Sequence, residues 1–241
     1  MHNLVKRYYT APPTNADNAH VQDRPSFRNE EGEEEKKDEE NKANVGFNAV
    51  KGTSFGVKRG EVFSLLGVNG AGKSSTFNCM VGAQRVSGGI VKLDGVNVDS
   101  YVGRPAALAG ILGYCPQSNT FEEGLTVVQQ LTLVARLAGI DETQLEQYVK
   151  STIWRFGLNA FVNTRAGELS GGNMRKLSLA LAMIGQPKIV FIDEASTGVD
   201  PASRRTMWKA IRHEGANSAV ILTTHAMEEA EAISSKIAIQ V

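Results

Sequence analysis

A glycine-rich segment at residues 67–74, Gly-Val-Asn-Gly-Ala-Gly-Lys-Ser, restricts what this chain can fold into more than any other stretch. An apolar run at 62–66 leads into it, and residues 75–80 follow with a pattern compatible with a helix. In a strand–turn–helix unit of this kind, glycines let successive N–H groups point at one anion, and the helix start adds its dipole. The alternative, a glycine turn beside a surface lysine, does not account for the flanking strand and helix.

The same segment supplies side chains suited to a nucleoside triphosphate. Lys73 can reach the β- and γ-phosphates, and the Ser74 hydroxyl is placed to bind Mg²⁺. ATP with Mg²⁺ is the ligand that this pattern predicts. The residues predicted to contact it here are Gly67, Asn69, Gly70, Ala71, Gly72, Lys73, Ser74 and Ser75.

Charge and composition exclude some classes of partner. Lys+Arg and Asp+Glu each number 26, so net charge favours neither nucleic acid, which is not expected as a partner, nor a basic membrane-surface patch. Eight acidic residues lie at 30–40, within a segment at 10–44 that has few hydrophobic residues. We predict that residues 10–44 are a disordered acidic insertion, and a solvated insertion is favoured over a binding tail.

Two further features concern the compartment. Cys79 and Cys115 have no metal-ligand spacing, which indicates a reduced cytosolic chain. No apolar run approaches the ~20 residues needed to span a bilayer. Any role at a membrane would therefore depend on a partner or on chain outside this sequence.

Alternating strand and helix patterns predict the fold class. They indicate a three-layer α/β core of the P-loop NTPase type with a mostly parallel sheet. The predicted core strands are at 62–66, 111–114, 188–193, 219–224 and 236–241, and the predicted helices are at 126–138, 141–156 and 171–185.

Local signals add detail around this core. A hairpin turn at 58–60 is predicted to join strands at 52–57 and 61–66, and Asp94-Gly95 predicts a second hairpin. These pieces indicate an antiparallel β subdomain. Asp141 with Gln144 resembles a capping box at the start of a helix.

Candidate catalytic groups follow two of the predicted core strands. Asp193 and Glu194 end an apolar run, at the edge where ligands bind in open α/β sheets. Asp193 would hold Mg²⁺, and Glu194 can deprotonate the attacking water. His225 follows the strand at 219–224, where it could be structural or could contact the γ-phosphate.

A second glycine turn, at 169–173, opens the helix at 171–185. Ser170, Gly171, Gly172 and Asn173 offer free N–H groups, a hydroxyl and a helix dipole, which together suit an anion. Alone, the same turn would be an ordinary serine N-cap.

The order of these elements resembles the ATP-binding-cassette (ABC) ATPase domain over nearly the whole chain except 10–44. Residues 67–74 match its Walker A loop, residues 169–173 match its signature, and residues 189–194 match its Walker B strand. Gln117 matches its Q-loop, and His225 matches its switch histidine. Residues 196–200 match its D-loop, which ends at Asp200. Tyr8 matches the aromatic residue that stacks on adenine. The segments at 66–73, 170–178 and 225–230 look most like subfamily A, the lipid transporters, and Asn173 with Met-Glu-Glu at 227–229 favours the second of that subfamily's two nucleotide domains.

The resemblance implies a mechanism and partners. It implies a head-to-tail dimer with a second nucleotide-binding domain, with ATP between Lys73 of one domain and the Ser170 turn of the other. It implies Ser74, Gln117 and Asp193 as ligands of Mg²⁺, Asp200 near the nucleotide, and catalytic roles for Glu194, His225, Lys73 and Gln117. Residues 118–168 would form a helical subdomain facing transmembrane domains of the same or a partner chain, at the cytoplasmic face of a membrane. The ATPase domain would occupy 1–241 and be truncated at both ends.

Two other classes share parts of this pattern. A soluble ABC-type ATPase acting in translation or DNA repair has the same core without membrane domains. A regulatory ATP-binding domain that does not hydrolyse would lack a catalytic group, whereas Glu194 and His225 are both present.

Overall fold

The computed structural model describes residues 1–9, 46–102 and 110–241, and for residues 7–9 it describes the backbone alone. The segment predicted to be an acidic insertion, 10–44, therefore lies outside the described residues. The described strands are β1 (His2–Tyr9), β2 (Gly46–Thr53), β3 (Val62–Gly67), β4 (Gly88–Ile90), β5 (Lys92–Leu93), β6 (Val96–Asn97), β7 (Leu112–Cys115), β8 (Ile189–Asp193), β9 (Ala219–Thr224) and β10 (Lys236–Gln240). The described helices are α1 (Lys73–Met80), α2 (Val127–Leu137), α3 (Glu142–Arg155), α4 (Gly171–Met183), α5 (Pro201–Glu214) and α6 (Met227–Ile233).

The centre of the fold is a five-stranded sheet in the order β10-β3-β9-β8-β7. Every neighbouring pair in it is parallel. The parallel core and the α/β fold class predicted from the sequence are confirmed.

Alternate residues of β8 show how the sheet is buried on both faces. Val190 and Ile192 pack into one hydrophobic cluster, which includes residues of α2 to α6. Ile189 and Phe191 pack into another, with α1 and the small strands. Because successive side chains of a strand point to opposite faces, an uninterrupted apolar run is what a doubly covered parallel strand requires.

The small antiparallel part differs from one prediction. β1 pairs with both β2 and β4 in a three-stranded antiparallel sheet, and β5 pairs with β6 across the Asp94-Gly95 turn, as expected. The predicted hairpin between 52–57 and 61–66 is wrong. The turn at 58–60 forms, with Glu61 N donating to Lys58 O at 3.1 Å, but β3 leaves it to pair with β9 and β10 in the core.

Among the described helices, α2, α3 and α5 begin at side-chain caps, from Thr126, Asp141 and Asp200. Asp141 caps α3 through Thr143 N, and the described capping box is at α2, between Thr126 and Gln129. Residues 118–168 hold α2 and α3, and that they act as a separate subdomain stays a prediction. Within the described ranges, no helix is both long and apolar enough to cross a membrane.

Candidate nucleotide site

Four strands of the parallel sheet end at one edge, and the predicted site residues follow them. β3 runs into the glycine loop, β7 into Gln117, β8 into Glu194 and β9 into His225. Parallel strands place their carboxyl ends at a common edge, so residues distant in sequence meet there. This edge is the candidate site.

The glycine loop wraps around Lys73. The lysine is 6% exposed, and its Nζ donates to Gly67 O at 2.8 Å and to Val68 O at 3.1 Å. Gly72 precedes α1 in the left-handed conformation, with φ 90°, and no side chain caps this helix. A Cβ at Gly72 would lie 2.2 Å from Ala49 O, so only glycine lets β2 pass this close to the loop. The start of a helix without a side-chain cap favours an anion.

A cleft of about 540 Å³ lies over this loop. Its size suits a nucleotide, since ligand pockets commonly measure about 300–1,000 Å³. The residues that line it are Phe47, Ala49, Asn69, Gly70, Gly72, Lys73, Ser74, Ser75, Gln117 and Glu194. The loop residues predicted at the site, apart from Gly67 and Ala71, are among them, as are Gln117 and Glu194.

Glu194 is the centre of a set of polar contacts in this cleft. Its carboxylate accepts a hydrogen bond from Gln117 Nε2 at 3.2 Å, and Oε1 lies 3.7 Å from Lys73 Nζ. His225 Nδ1 is 3.8 Å from the same Oε1. Three groups that the sequence predicts around a γ-phosphate therefore converge on one carboxylate, which can accept a proton from a water held there.

The backbone at Glu194 has an unusual conformation. Its φ of 46° is left-handed, which costs a residue with a Cβ about 1–2 kcal/mol. The peptide is held by its neighbours: Glu194 N donates to Thr223 O at 3.2 Å, and Thr197 N donates to Glu194 O at 3.2 Å. The turn aims the side chain into the cleft.

Asp193 is a buried carboxylate beside the cleft, with 8% exposure. Burial raises its pKa, and the hydrogen bond that it accepts from the Thr223 hydroxyl opposes this shift. The described residues contain no group of three His, Cys, Asp or Glu that could hold a metal alone. The predicted Mg²⁺ ligands all offer oxygen: Asp193 a carboxylate, Ser74 a hydroxyl and Gln117 an amide oxygen. Such a set fits Mg²⁺ that keeps waters and substrate phosphates as its other ligands.

The Ser170 turn lies elsewhere, since no residue of 170–173 lines the cleft. Ser170 starts α4, is exposed, and makes no side-chain cap. Beside it, a Cβ on Gly172 would be 3.5 Å from Asp200 Oδ2. Asp200 itself caps α5, accepting from Ala202 N and Ser203 N at 3.0 Å each, which lowers its pKa. Its predicted nucleotide contact remains a prediction.

Phe47 and Arg175 lie near the site, and sequence reasoning gave neither of them a role there. The side chain of Tyr8 lies outside the described residues, but its strand position is opposite Phe47 in the β1–β2 register, and Phe47 lines the cleft. The second is Arg175 on α4, which contacts the backbone on both sides of Glu194. The only sequence signals were an aromatic residue near the insertion and a basic pair at 175–176.

Comparison with known proteins agrees with this geometry. The profile of the ABC transporter family matches residues 50–197. The phospholipid-transporting ATPase ABCA7 of Homo sapiens is 45% identical over 196 residues, covering 80% of this chain and 9% of that protein. The phospholipid-transporting ATPase ABCA3 of Rattus norvegicus is 38% identical over 194 residues, covering 80% of this chain and 11% of that protein.

A solved structure also matches. The ATP-binding subunit of an ABC transporter superposes with a TM-score of 0.71 at 26% identity, over 80% of each chain. The chain thus spans about a tenth of the two curated relatives but most of the solved subunit. It belongs to the ABC transporter family, and the matched residues include the glycine loop, Gln117 and Glu194.

Proposed function

We propose that this domain hydrolyses ATP as one member of a head-to-tail pair of nucleotide domains, and that the pair drives movement of lipid across a membrane. The transmembrane domains would belong to the same or a partner chain, with this domain at the cytoplasmic face. The observation that carries the proposal is the convergence of Lys73, Gln117 and His225 on Glu194. The phospholipid-transporting relatives support the choice of lipid.

Within the cleft, each residue has a defined task. The loop N–H groups and the Lys73 ammonium bind the triphosphate and offset its charge. Glu194 accepts the proton of the attacking water, and Gln117 and His225 orient that water and the γ-phosphate. Mg²⁺, when bound through Ser74, Asp193 and Gln117, neutralises charge on the phosphates.

Pairing of two domains explains the exposed Ser170 turn. The turn has uncapped N–H groups and an exposed hydroxyl, yet it does not reach the cleft of its own chain. An anion-binding turn on the outside of a domain can complete a site on a second domain. The neighbouring Asp200 would then lie at the same interface.

Lipid transport is tested with the full-length protein in phospholipid vesicles that carry a fluorescent phospholipid. We expect movement of the probe between leaflets that requires ATP and Mg²⁺ and is abolished by Lys73→Ala. ATP turnover that neither moves lipid nor responds to it would contradict the transport proposal. That result would favour the soluble ABC-type ATPase.

A further inference from the structure

A cation is buried between α4 and the candidate site. Arg175 follows the Ser170 turn on α4 and is 8% exposed. Its guanidinium donates to five acceptors: Gln117 O at 2.9 Å, Pro116 O at 3.0 Å, Ala195 O at 3.1 Å, Asp193 O at 3.4 Å and Asn119 Oδ1 at 3.4 Å.

These acceptors belong to two segments that carry site residues. The carbonyls of Asp193 and Ala195 flank Glu194 on either side. The carbonyl of Gln117 belongs to the residue whose Nε2 donates to Glu194 at 3.2 Å. One planar guanidinium therefore fixes the backbone of both partners in that hydrogen bond, and it does so from the helix that starts at Ser170.

The energetics argue for a role beyond packing. Moving a charge out of water costs several kcal/mol unless hydrogen bonds offset it. Among the described residues no carboxylate lies within ion-pair distance of Arg175, so its partners are neutral. Part of its charge instead acts on Asp193, whose carboxylate it favours in the ionised form. The Arg175 guanidinium donates to the loops of both Gln117 and Glu194, and it can therefore fix their relative position, which an apolar side chain could not do.

We propose that Arg175 is a positioning residue that couples the Ser170 turn to Glu194 and Gln117. When a nucleotide held by the second domain seats against the turn, α4 is fixed, and Arg175 in turn fixes the carboxylate and amide that handle water in its own cleft. The inference rests on the proposed pairing of domains. The coupling through Arg175 would make ATP turnover in one domain's cleft depend on nucleotide bound in the cleft of the second domain.

The test replaces Arg175 by Met, which keeps the length of the side chain and removes all donors. ATP binding, titrated with a fluorescent ATP analogue, should change less than about threefold, because Arg175 makes no hydrogen bond to the glycine loop at 67–74. The kcat should fall at least about tenfold, with KM nearly unchanged, because the loss is confined to the transition state. The inference predicts a Hill coefficient for ATP above one in the unaltered protein and of about one in Arg175→Met.

The neighbouring Lys176 provides a matched control. It is 7% exposed on the same helix, and its Nζ donates to Gly157 O at 3.4 Å, away from both loops. Lys176→Met removes an equally buried cation, and we expect it to retain both kcat and cooperativity. Arg175→Lys keeps the charge, but a single ammonium cannot span both pairs of carbonyls, so kcat should remain low.

Three results would overturn the inference. One is an Arg175→Met protein with normal kcat and cooperativity. Another is an equal loss of cooperativity in Lys176→Met. If Arg175→Met does not fold, Arg175→Lys decides, and normal turnover in that variant contradicts the positioning role. An unaltered protein whose turnover shows no dependence on paired sites would instead overturn the proposed function, before any variant is compared.

Discussion

Glu194 Oε1 lies 3.7 Å from Lys73 Nζ, so the candidate base and the lysine proposed to bind phosphate share one small volume. The carboxylate is therefore next to the position that we propose for the terminal phosphate of the nucleotide. Removing the charge of Glu194 separates its effect on hydrolysis from its effect on ATP binding, because the side chain can no longer accept a proton while the shape of the cleft is kept.

We predict that Glu194→Gln lowers ATP hydrolysis by about 10²–10⁴-fold, the usual contribution of a general base. ATP binding should survive or tighten, since the amide no longer competes with phosphate for the lysine. Single-turnover hydrolysis and nucleotide titration measure the two effects. Near-normal single-turnover hydrolysis would remove Glu194 from the role of base.

The second prediction is that Asp193→Asn raises the stability of the folded protein and lowers its ATP hydrolysis. Burial raises its folded pKa above the unfolded value. The folded state therefore holds this proton more tightly, and its stability falls as pH rises above the unfolded value of 3.8. Asp193→Asn removes the buried charge and keeps an acceptor for Thr223. We predict a higher Tm at neutral pH without metal.

The same variant should lose its response to Mg²⁺. Magnesium with nucleotide should raise the Tm of the unaltered protein and have little effect on Asp193→Asn. Hydrolysis should fall at least about tenfold, because losing even a second-shell partner of a metal typically costs 10–100-fold. An Asp193→Asn protein that is less stable than the unaltered one in metal-free buffer would contradict the stated cost of the buried carboxylate.

The sequence was sufficient for features that depend on local pattern. The apolar run before Asp193 predicts β8 because a strand covered on both faces needs apolar residues throughout. The glycine loop predicts its own turn because glycine readily adopts the left-handed conformation that Gly70 and Gly72 have, with φ of 87° and 90°. These local signals predicted the strands and helices of the core.

Features that depend on distant partners were not predictable. β3 looked like half of a hairpin because its turn is local, yet its partners are β9 and β10, which lie far along the chain. Arg175 reads as an ordinary helix residue until Gln117 O, 58 positions away, lies 2.9 Å from its Nη1. Such contacts become visible only when the sheet has brought the loops together.

The Ser170 turn gives a third prediction, about sharing of sites between domains. Ser170 is exposed and caps nothing with its side chain, so Ser170→Arg should fold and bind ATP normally. Turnover should nevertheless be lost, since the bulky cation would block the second domain's nucleotide. Mixing this variant with Lys73→Ala should restore a small part of the turnover, because each mixed pair holds one intact composite site but lacks the second occupied site that the coupling through Arg175 requires. Loss of ATP binding by Ser170→Arg alone would place the turn in its own chain's site instead.

The last prediction concerns recognition of the base by Tyr8 and Phe47. Phe47 lines the cleft with the phosphate loop and is 59% exposed there, and Tyr8 is its partner in the β1–β2 register. Directly opposed residues of antiparallel strands share a face of the sheet, so we predict that Tyr8 and Phe47 both contact the base. Stacking on a base contributes roughly 1–3 kcal/mol, so Tyr8→Ala or Phe47→Ala should weaken ATP binding by about 5- to 150-fold.

Inorganic triphosphate separates this effect from damage to the loop, because it has no base to stack. Its affinity should be unchanged in both variants, and the saturated rate of ATP hydrolysis should change little, since the base is bound equally in ground and transition states.

Tyr9→Ala is the matched control, because neighbouring residues of a strand face opposite ways. Equal loss of ATP and triphosphate binding in Phe47→Ala would mean that the residue supports the loop rather than the base. A loss in Tyr9→Ala but not in Tyr8→Ala would shift the stacking residue by one position along β1. Normal ATP binding in all three variants would remove the N-terminal strand from the nucleotide site.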